Sequence, residues 1–218
     1  MQIAIGLYPG FTALDAIGPY NVFTNVPGTD VVLCAERTGA LADDNGLLRL
    51  DVEHTFEDVP TPDVLLVPGG LATRIVAAEG GPIVDWIRSA HQTTTYTTSV
   101  CTGALLLGAA GVLQGLRATT HWLAYDHLRR YDADPTAERV VIEGKVATAA
   151  GVSAGIDLAL TLVDKLYGPE VAQAVQLGIE YDPQPPHDTG APSKAPADIR
   201  DLVSAVMAEE EAKLVAGG

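Results

Sequence analysis

The residue best placed for chemistry is Cys101, in the stretch TTSVCTGALLLGAAGVLQG from Thr97 to Gly115. Polar, β-branched residues run up to it and a helix of small apolar residues leaves from it. That order puts the thiol in a sharp strand-to-helix turn of the kind that presents a nucleophile. A helix amino end offers unpaired N–H groups and the positive end of the helix dipole, and both favour thiolate over thiol. Gly103 and Ala104 lack bulk, so a substrate and its oxyanion can approach the backbone closely. The competing reading is a small apolar filler, because free cysteine is among the most buried residue types. Cys34, inside VVLCAE with no such turn, reads as core.

Other residues gather around this corner only if the fold brings them there. VPGG, Val67–Gly70, ends a second strand in a glycine turn. Beside the Cys101 corner it would aim the Gly70 N–H at the point reached by the Thr102 N–H, making an anion-stabilising hole. Otherwise it is a tight strand-to-helix loop. Asp15 lies among apolar neighbours in FTALDAIGPYNVF, either as a helix cap or as a functional carboxyl whose pKa burial would raise towards neutrality. His121 in RATTHWLAYD opens a helix, as a capping or packing residue or as part of the pocket, and Trp122 beside it supplies an apolar wall or simple packing. His54, His91, His127 and His187 have no company that suggests metal or catalysis, so no metal site is expected.

The elements that must position these residues alternate along the chain. QIAIGLY, DVVLCAE, DVLLVPGG, TTYTTSV and KVATAAG are short and rich in β-branched residues, as buried parallel strands are. Helices are expected over Thr12–Thr24, Gly81–His91, Thr102–Ala110, His121–Tyr131 and Gly155–Leu166. LLRLDVEHTF and ERVVIEGKVAT read as added strands or hairpins, the second turning at Glu143–Gly144. This alternation predicts an α/β fold with a doubly wound, mostly parallel sheet whose sites lie beyond the carboxyl ends of the strands.

The chain's 218 residues suit one compact domain, 1–218. Five prolines between Tyr181 and Asp198 exclude regular helix or central strand there. After them Ile199, Leu202, Val203, Val206 and Met207 fall at helical spacing, which predicts a terminal helix over 199–216 packed on the domain or on a second subunit. Net charge is −15, a field that repels phosphate backbones and anionic lipid and so argues against nucleic-acid and membrane partners. No apolar run approaches the roughly 18 residues of a membrane span. Met1 leads straight into a strand-like run with no basic residue before it, unlike a signal peptide. Two cysteines without framework spacing fit a reducing cytoplasm, where Cys101 stays a free thiol.

Taken together, LLVPGG, SVCTGALLLGAAGVLQG, ATTHW and TAAGVSAGIDLAL resemble in order and spacing the ThiJ/PfpI superfamily, over nearly the whole chain. Cys-Thr-Gly at the turn and Thr-Thr-His-Trp after it resemble the branch that holds the isocyanide hydratases and the sensor domains of AraC-type regulators. The regulators continue into a helix-turn-helix domain, whereas this sequence stops at Gly218, and IEYDPQPPHDTGAP is similar to a proline-rich segment of the hydratases. The resemblance implies a flavodoxin-like sandwich of the class I glutamine amidotransferase-like kind, a homodimer, no metal or other cofactor, and Cys101 as nucleophile. Thr102 stands where peptidase and amidase branches carry histidine, and Asp15 where chaperone, deglycase and glyoxalase-like branches carry Glu.

The activity implied is addition of water to an isocyanide. Cys101 attacks the terminal carbon, Asp15 delivers the proton, and a covalent thioimidate is hydrolysed to an N-substituted formamide. Thr102 would hold the thiolate or the carboxyl, and Gly70 would stabilise charge. The turn Ala149–Asp157, with Gly151, would open the helix beside Cys101 and face the substrate. Two alternatives are a glyoxalase-like or deglycase activity on small aldehydes and a non-catalytic ligand or redox sensor.

Overall fold

The structure, a computed structural model, describes residues 1–217. The first half of the chain runs β1 (Gln2–Gly6), α1 (Ala13–Phe23), β2 (Asp30–Ala35), β3 (Gly39–Ala42), β4 (Arg49–Val52), β5 (His54–Thr55), β6 (Val64–Val67), α2 (Thr73–Glu79), α3 (Pro82–Ala90) and β7 (Tyr96–Val100). It continues through α4 (Gly103–Ala109), β8 (Arg117–Ala118), a 3-10 turn (Trp122–Ala124), α5 (Tyr125–Arg129), β9 (Asp134–Pro135), β10 (Val140–Glu143) and β11 (Val146–Ala149). The helices α6 (Ala154–Tyr167), α7 (Pro169–Gly178) and α8 (Ala197–Gly217) follow.

Seven strands form one sheet in the order β10-β11-β7-β6-β1-β2-β5, parallel except for the β10–β11 hairpin. β6 and β11 are buried along their whole length, and β1 and β7 all but their first residue, which is why they read as near-continuous apolar or β-branched runs without alternation. Helices flank the sheet: α1 packs on α6 and α6 on α7, while α2 and α3 pack on α4. The doubly wound, mostly parallel α/β architecture is therefore as the alternation of elements predicts. The core includes Ile3, Ile5, Leu65, Leu66 and Leu105–Leu107, all essentially inaccessible to solvent.

Four of the five helices expected before the proline-rich segment form within a few residues of their expected bounds. The fifth, expected over His121–Tyr131, is broken into the 3-10 turn and the five-residue α5. The His121 ring accepts the Leu123 N–H at 3.4 Å, which tightens the chain there, and Ala124 then leaves helical geometry at φ −113°. Two helices, α2 and α7, went unanticipated. α7 carries a legible start signal, since Gly168 at φ +90° ends α6 and Pro169 opens the next helix.

The described residues fall into two compact units, Met1–Ile179 and the segment from Glu180 onwards. Within the second, the Arg200 guanidinium donates to the carbonyls of Pro192 (3.0 Å) and Ala195 (2.8 Å), closing the proline-rich segment onto the first turn of α8. That helix begins two residues before the expected Ile199. Ile199, Leu202, Val203 and Val206 are exposed on it. Among the described residues no helix is long and apolar enough to cross a membrane.

Candidate active site

Parallel register assembles the site. Val67 pairs with Ser99 and Ala149 with Val100, so the segments leaving β6 and β11 run on either side of the residue leaving β7. That residue is Cys101, at φ +57°, a left-handed conformation that costs a non-glycine residue about 1–3 kcal/mol. Its neighbours hold it there. The Cys101 N–H donates to the carbonyls of Ala149 (3.1 Å) and Ala150 (2.8 Å), and its carbonyl accepts the Thr120 hydroxyl at 2.9 Å. The thiol is 6% exposed, at the start of the seven-residue α4.

Asp15 reaches this corner from α1, because the Thr12 N–H donates to the Gly69 carbonyl (2.8 Å) and anchors the start of that helix on the β6 turn. Its carboxyl is fully buried, and Oδ2 accepts the Gly69 N–H at 2.8 Å. It caps no helix end, since the N-cap is Thr12, so the capping alternative falls away. Burial raises the Asp15 pKa to about 7 against the opposing Gly69 bond; the Asp44 carboxylate raises it further, and the Cys101 thiol lowers it. Oδ1 is buried without a conventional hydrogen bond.

Burial also pushes the Cys101 thiol up to about 12, and the Asp15 charge adds to that. The N–H groups of Val152 and Thr102 and the Thr102 hydroxyl face the sulfur and act in the opposite direction without prevailing. Desolvation thus opposes the thiolate that the short helix start favours, and the proton is held on sulfur more tightly than on the Asp15 carboxyl. Between about pH 7 and pH 12 the two groups share one proton.

The glycine turn after β6 plays a different part from the expected one. A Cβ on Gly69 would lie 2.6 Å from the Thr102 nitrogen and 3.0 Å from Asp15 Oδ2, so only glycine lets both site residues close on it. The Gly70 N–H donates to Thr102 Oγ1 at 3.0 Å and is therefore not directed at an oxyanion. Thr102 Oγ1 also lies 3.0 Å from Thr73 Oγ1 and 3.2 Å from the Gly70 carbonyl. Behind it, Thr73 Oγ1 donates to the Gly70 carbonyl at 2.6 Å and meets the Tyr8 hydroxyl at 2.7 Å. Tyr8, Thr73, Asp44 and the Val152 N–H were not singled out from the sequence. Tyr8 and Thr73 lie 65 residues apart, and no local pattern marks them as partners.

His121 packs against Gly151, where a Cβ would approach its Cδ2 to 3.0 Å. Burial and the Arg74 charge hold the imidazole below its usual pKa, so it is neutral at pH 7. Its ring centre lies 5.9 Å from that of the half-buried Trp122. Arg74 Nη2 donates to the Leu123 carbonyl at 3.1 Å, tying α2 to the turn that carries this aromatic pair. A cavity of about 420 Å3 includes Tyr8, Leu41, Phe56 and Ile83 but none of Cys101, Asp15 or Thr102. No group of three or more His, Cys, Asp or Glu residues that could hold a metal occurs among the described residues.

A buried thiol in a strained turn, paired with a buried carboxyl and faced by backbone N–H groups, can add to an electrophilic carbon and move a proton in the same step. The chain is 45% identical over 201 residues to the isonitrile hydratase of Pseudomonas putida, a match covering 92% of this chain and 87% of that one. It is 32% identical over 178 residues to the HTH-type transcriptional regulator CdhR of Pseudomonas aeruginosa, covering 78% of this chain and 52% of that one. A crystal structure of a ThiJ/PfpI family protein from Pseudomonas syringae superposes with a TM-score of 0.91 at 37% identity, covering 97% of this chain and 88% of that one. The DJ-1/PfpI family model matches residues 1–165. With three quarters of its length matched and the sheet, turn and thiol in place, the chain belongs to the DJ-1/PfpI family.

Proposed function

We propose that this protein is an isocyanide hydratase, an enzyme that adds water to R–NC to give the N-substituted formamide HC(=O)NH–R. The observation that carries the reading is the Cys101–Asp15 pair, buried together and holding one proton near neutrality. The 45% identity to the Pseudomonas putida isonitrile hydratase supports the choice of substrate class.

The steps follow from which group holds the proton. An isocyanide carbon must accept a nucleophile and gain a hydrogen. As the Cys101 sulfur bonds to that carbon, the thiol proton passes to Asp15, and Asp15 hands it to the same carbon. The product is the thioimidate Cys101–S–CH=N–R, with Asp15 again a carboxylate. Water then adds across C=N, its oxygen bonding to carbon while Asp15 relays its proton to nitrogen. In the collapse the hydroxyl proton passes through Asp15 to sulfur, the C–S bond breaks and the formamide leaves. The Thr102 and Val152 N–H groups carry charge on sulfur in the two sulfur-transfer steps. Neutral His121 with Trp122 forms the apolar wall for R, and Gly151 lets that wall sit close. No metal or other cofactor enters these steps.

A thiol held protonated by burial oxidises reluctantly, which weighs against a redox sensor. Free Cys34 and Cys101 fit a reducing compartment, which supports a cytoplasmic location. Leu14 and Tyr20 stand exposed on α1, which supports a homodimer. The enzymatic test is formamide production from alkyl and aryl isocyanides by purified protein, with methylglyoxal as the competing substrate. Formamide with no lactate supports the hydratase; lactate with no formamide replaces it with the glyoxalase-like activity.

A further inference from the structure

The hydroxyls behind Cys101 can be assigned donor by donor. Each carries one hydrogen. Thr73 Oγ1 sits 2.6 Å from the Gly70 carbonyl, which can only accept, so Thr73 spends its hydrogen there. The 2.7 Å contact between Tyr8 and Thr73 must then be donated by Tyr8, rather than its longer 3.2 Å contact to the Pro68 carbonyl. Thr102 is left with two acceptors for its own hydrogen, Thr73 Oγ1 at 3.0 Å and the Gly70 carbonyl at 3.2 Å. Both already accept a shorter bond from another donor. The Thr102 hydrogen is therefore the least committed of the three, and its oxygen is steadied by the Gly70 N–H.

We propose that Tyr8 and Thr73 are positioning residues which, by occupying the acceptors around Thr102, leave its hydroxyl hydrogen free to swing onto Cys101 Sγ when the thiolate forms. The inference rests on the hydratase reading for its use but not for its test. Without the Tyr8 hydroxyl, Thr73 Oγ1 becomes a fully available acceptor and holds the Thr102 hydrogen away from sulfur. Without the Thr73 hydroxyl, the Gly70 carbonyl keeps only the Thr73 N–H at 3.2 Å and draws the Thr102 hydrogen in the same way. Either loss makes the thiolate harder to form, although neither residue touches substrate. The other groups that bear on the sulfur are Asp15 from α1, with Asp44 acting through it, Arg74 from α2, the Val152 N–H after β11 and the Thr102 N–H. Asp15 and Asp44 accept from the Gly69 N–H and the Thr12 hydroxyl, bonds that the substitutions leave in place.

The test is the rate at which iodoacetamide alkylates Cys101, followed by peptide mass from about pH 6 to 10, in wild type, Tyr8→Phe, Thr73→Val and Thr73→Ser. Below its pKa a thiol reacts in proportion to its thiolate fraction. One weakened hydrogen bond therefore lowers the rate throughout by about 3–10-fold. That loss is expected for Tyr8→Phe and Thr73→Val, with Thr73→Ser close to wild type. Isocyanide turnover should show kcat falling by a similar factor at unchanged KM. Wild-type alkylation in folded Tyr8→Phe overturns the proposal, and this near-isosteric variant decides alone if Thr73→Val does not fold. Slowed alkylation in a protein that hydrates no isocyanide would sink the hydratase reading and leave the network standing.

Discussion

At the residue scale the central fact is a competition between burial and charge. Burial opposes both the Asp15 carboxylate and the Cys101 thiolate, so the pair loses its first proton near pH 7 and its second near pH 12. Turnover needs Asp15 as the acceptor of the thiol proton, so kcat/KM should rise with pH through about 7 and then level off. A profile flat from pH 5 to about 9 would remove Asp15 from the proton path. Stability moves in the opposite direction. The folded state binds the Asp15 proton more tightly than the unfolded chain does, so its contribution is lost as pH rises from about 4 to 7, by up to about 4 kcal/mol. Asp15→Asn should flatten that decline in chemical-denaturation curves while lowering kcat by at least about 10²-fold. Cysteine and aspartate were visible as candidates in the sequence, but the protonation state of the thiol was not. It depends on how completely the fold excludes water, which a turn motif does not record.

At the element scale the site is made by strand register and by glycines that let chain segments touch. Cβ atoms at Gly70 and Gly103 would come within 2.2 Å of the Gly10 carbonyl and 2.4 Å of the Val67 carbonyl, contacts that only backbone movement can relieve. Gly70→Ala and Gly103→Ala should each destabilise the fold by about 1–3 kcal/mol, read as a lowered Tm. Gly69→Ala presses instead on the Thr102 nitrogen and Asp15 Oδ2, so its activity loss should exceed what its Tm change explains. The sheet's strands and most helices were legible because buried parallel strands form continuous apolar or β-branched runs bounded by turn residues. α2 was not, because TRIVAAE lacks the continuous apolar run that marks the equally short, equally uncapped α4. Missing α2 hid Thr73 and Arg74, and with them the hydroxyl cluster and the tie to the His121 turn.

For the whole molecule, the strong negative charge and the exposed apolar residues of α1 and α8 point to association with another protein chain rather than with nucleic acid. Sedimentation equilibrium should give twice the 22.7 kDa chain mass, and Leu14→Asp together with Tyr20→Asp should shift it towards the monomer. A monomeric wild type at micromolar concentration would remove the dimer from the account. Exposure of single apolar residues was the least legible feature in the sequence: Leu14 has the same local pattern as a buried leucine, and only the fold leaves it on the surface of α1.

The most direct measurement is formamide formation from an alkyl isocyanide by wild type, Cys101→Ala and Asp15→Asn, with intact-mass analysis of quenched reactions. The account predicts formamide from wild type through a transient adduct on Cys101 whose added mass is that of the whole isocyanide. Cys101→Ala should yield none, and Asp15→Asn should be slower by at least about 10²-fold. Formamide produced at the wild-type rate by Cys101→Ala would contradict the account.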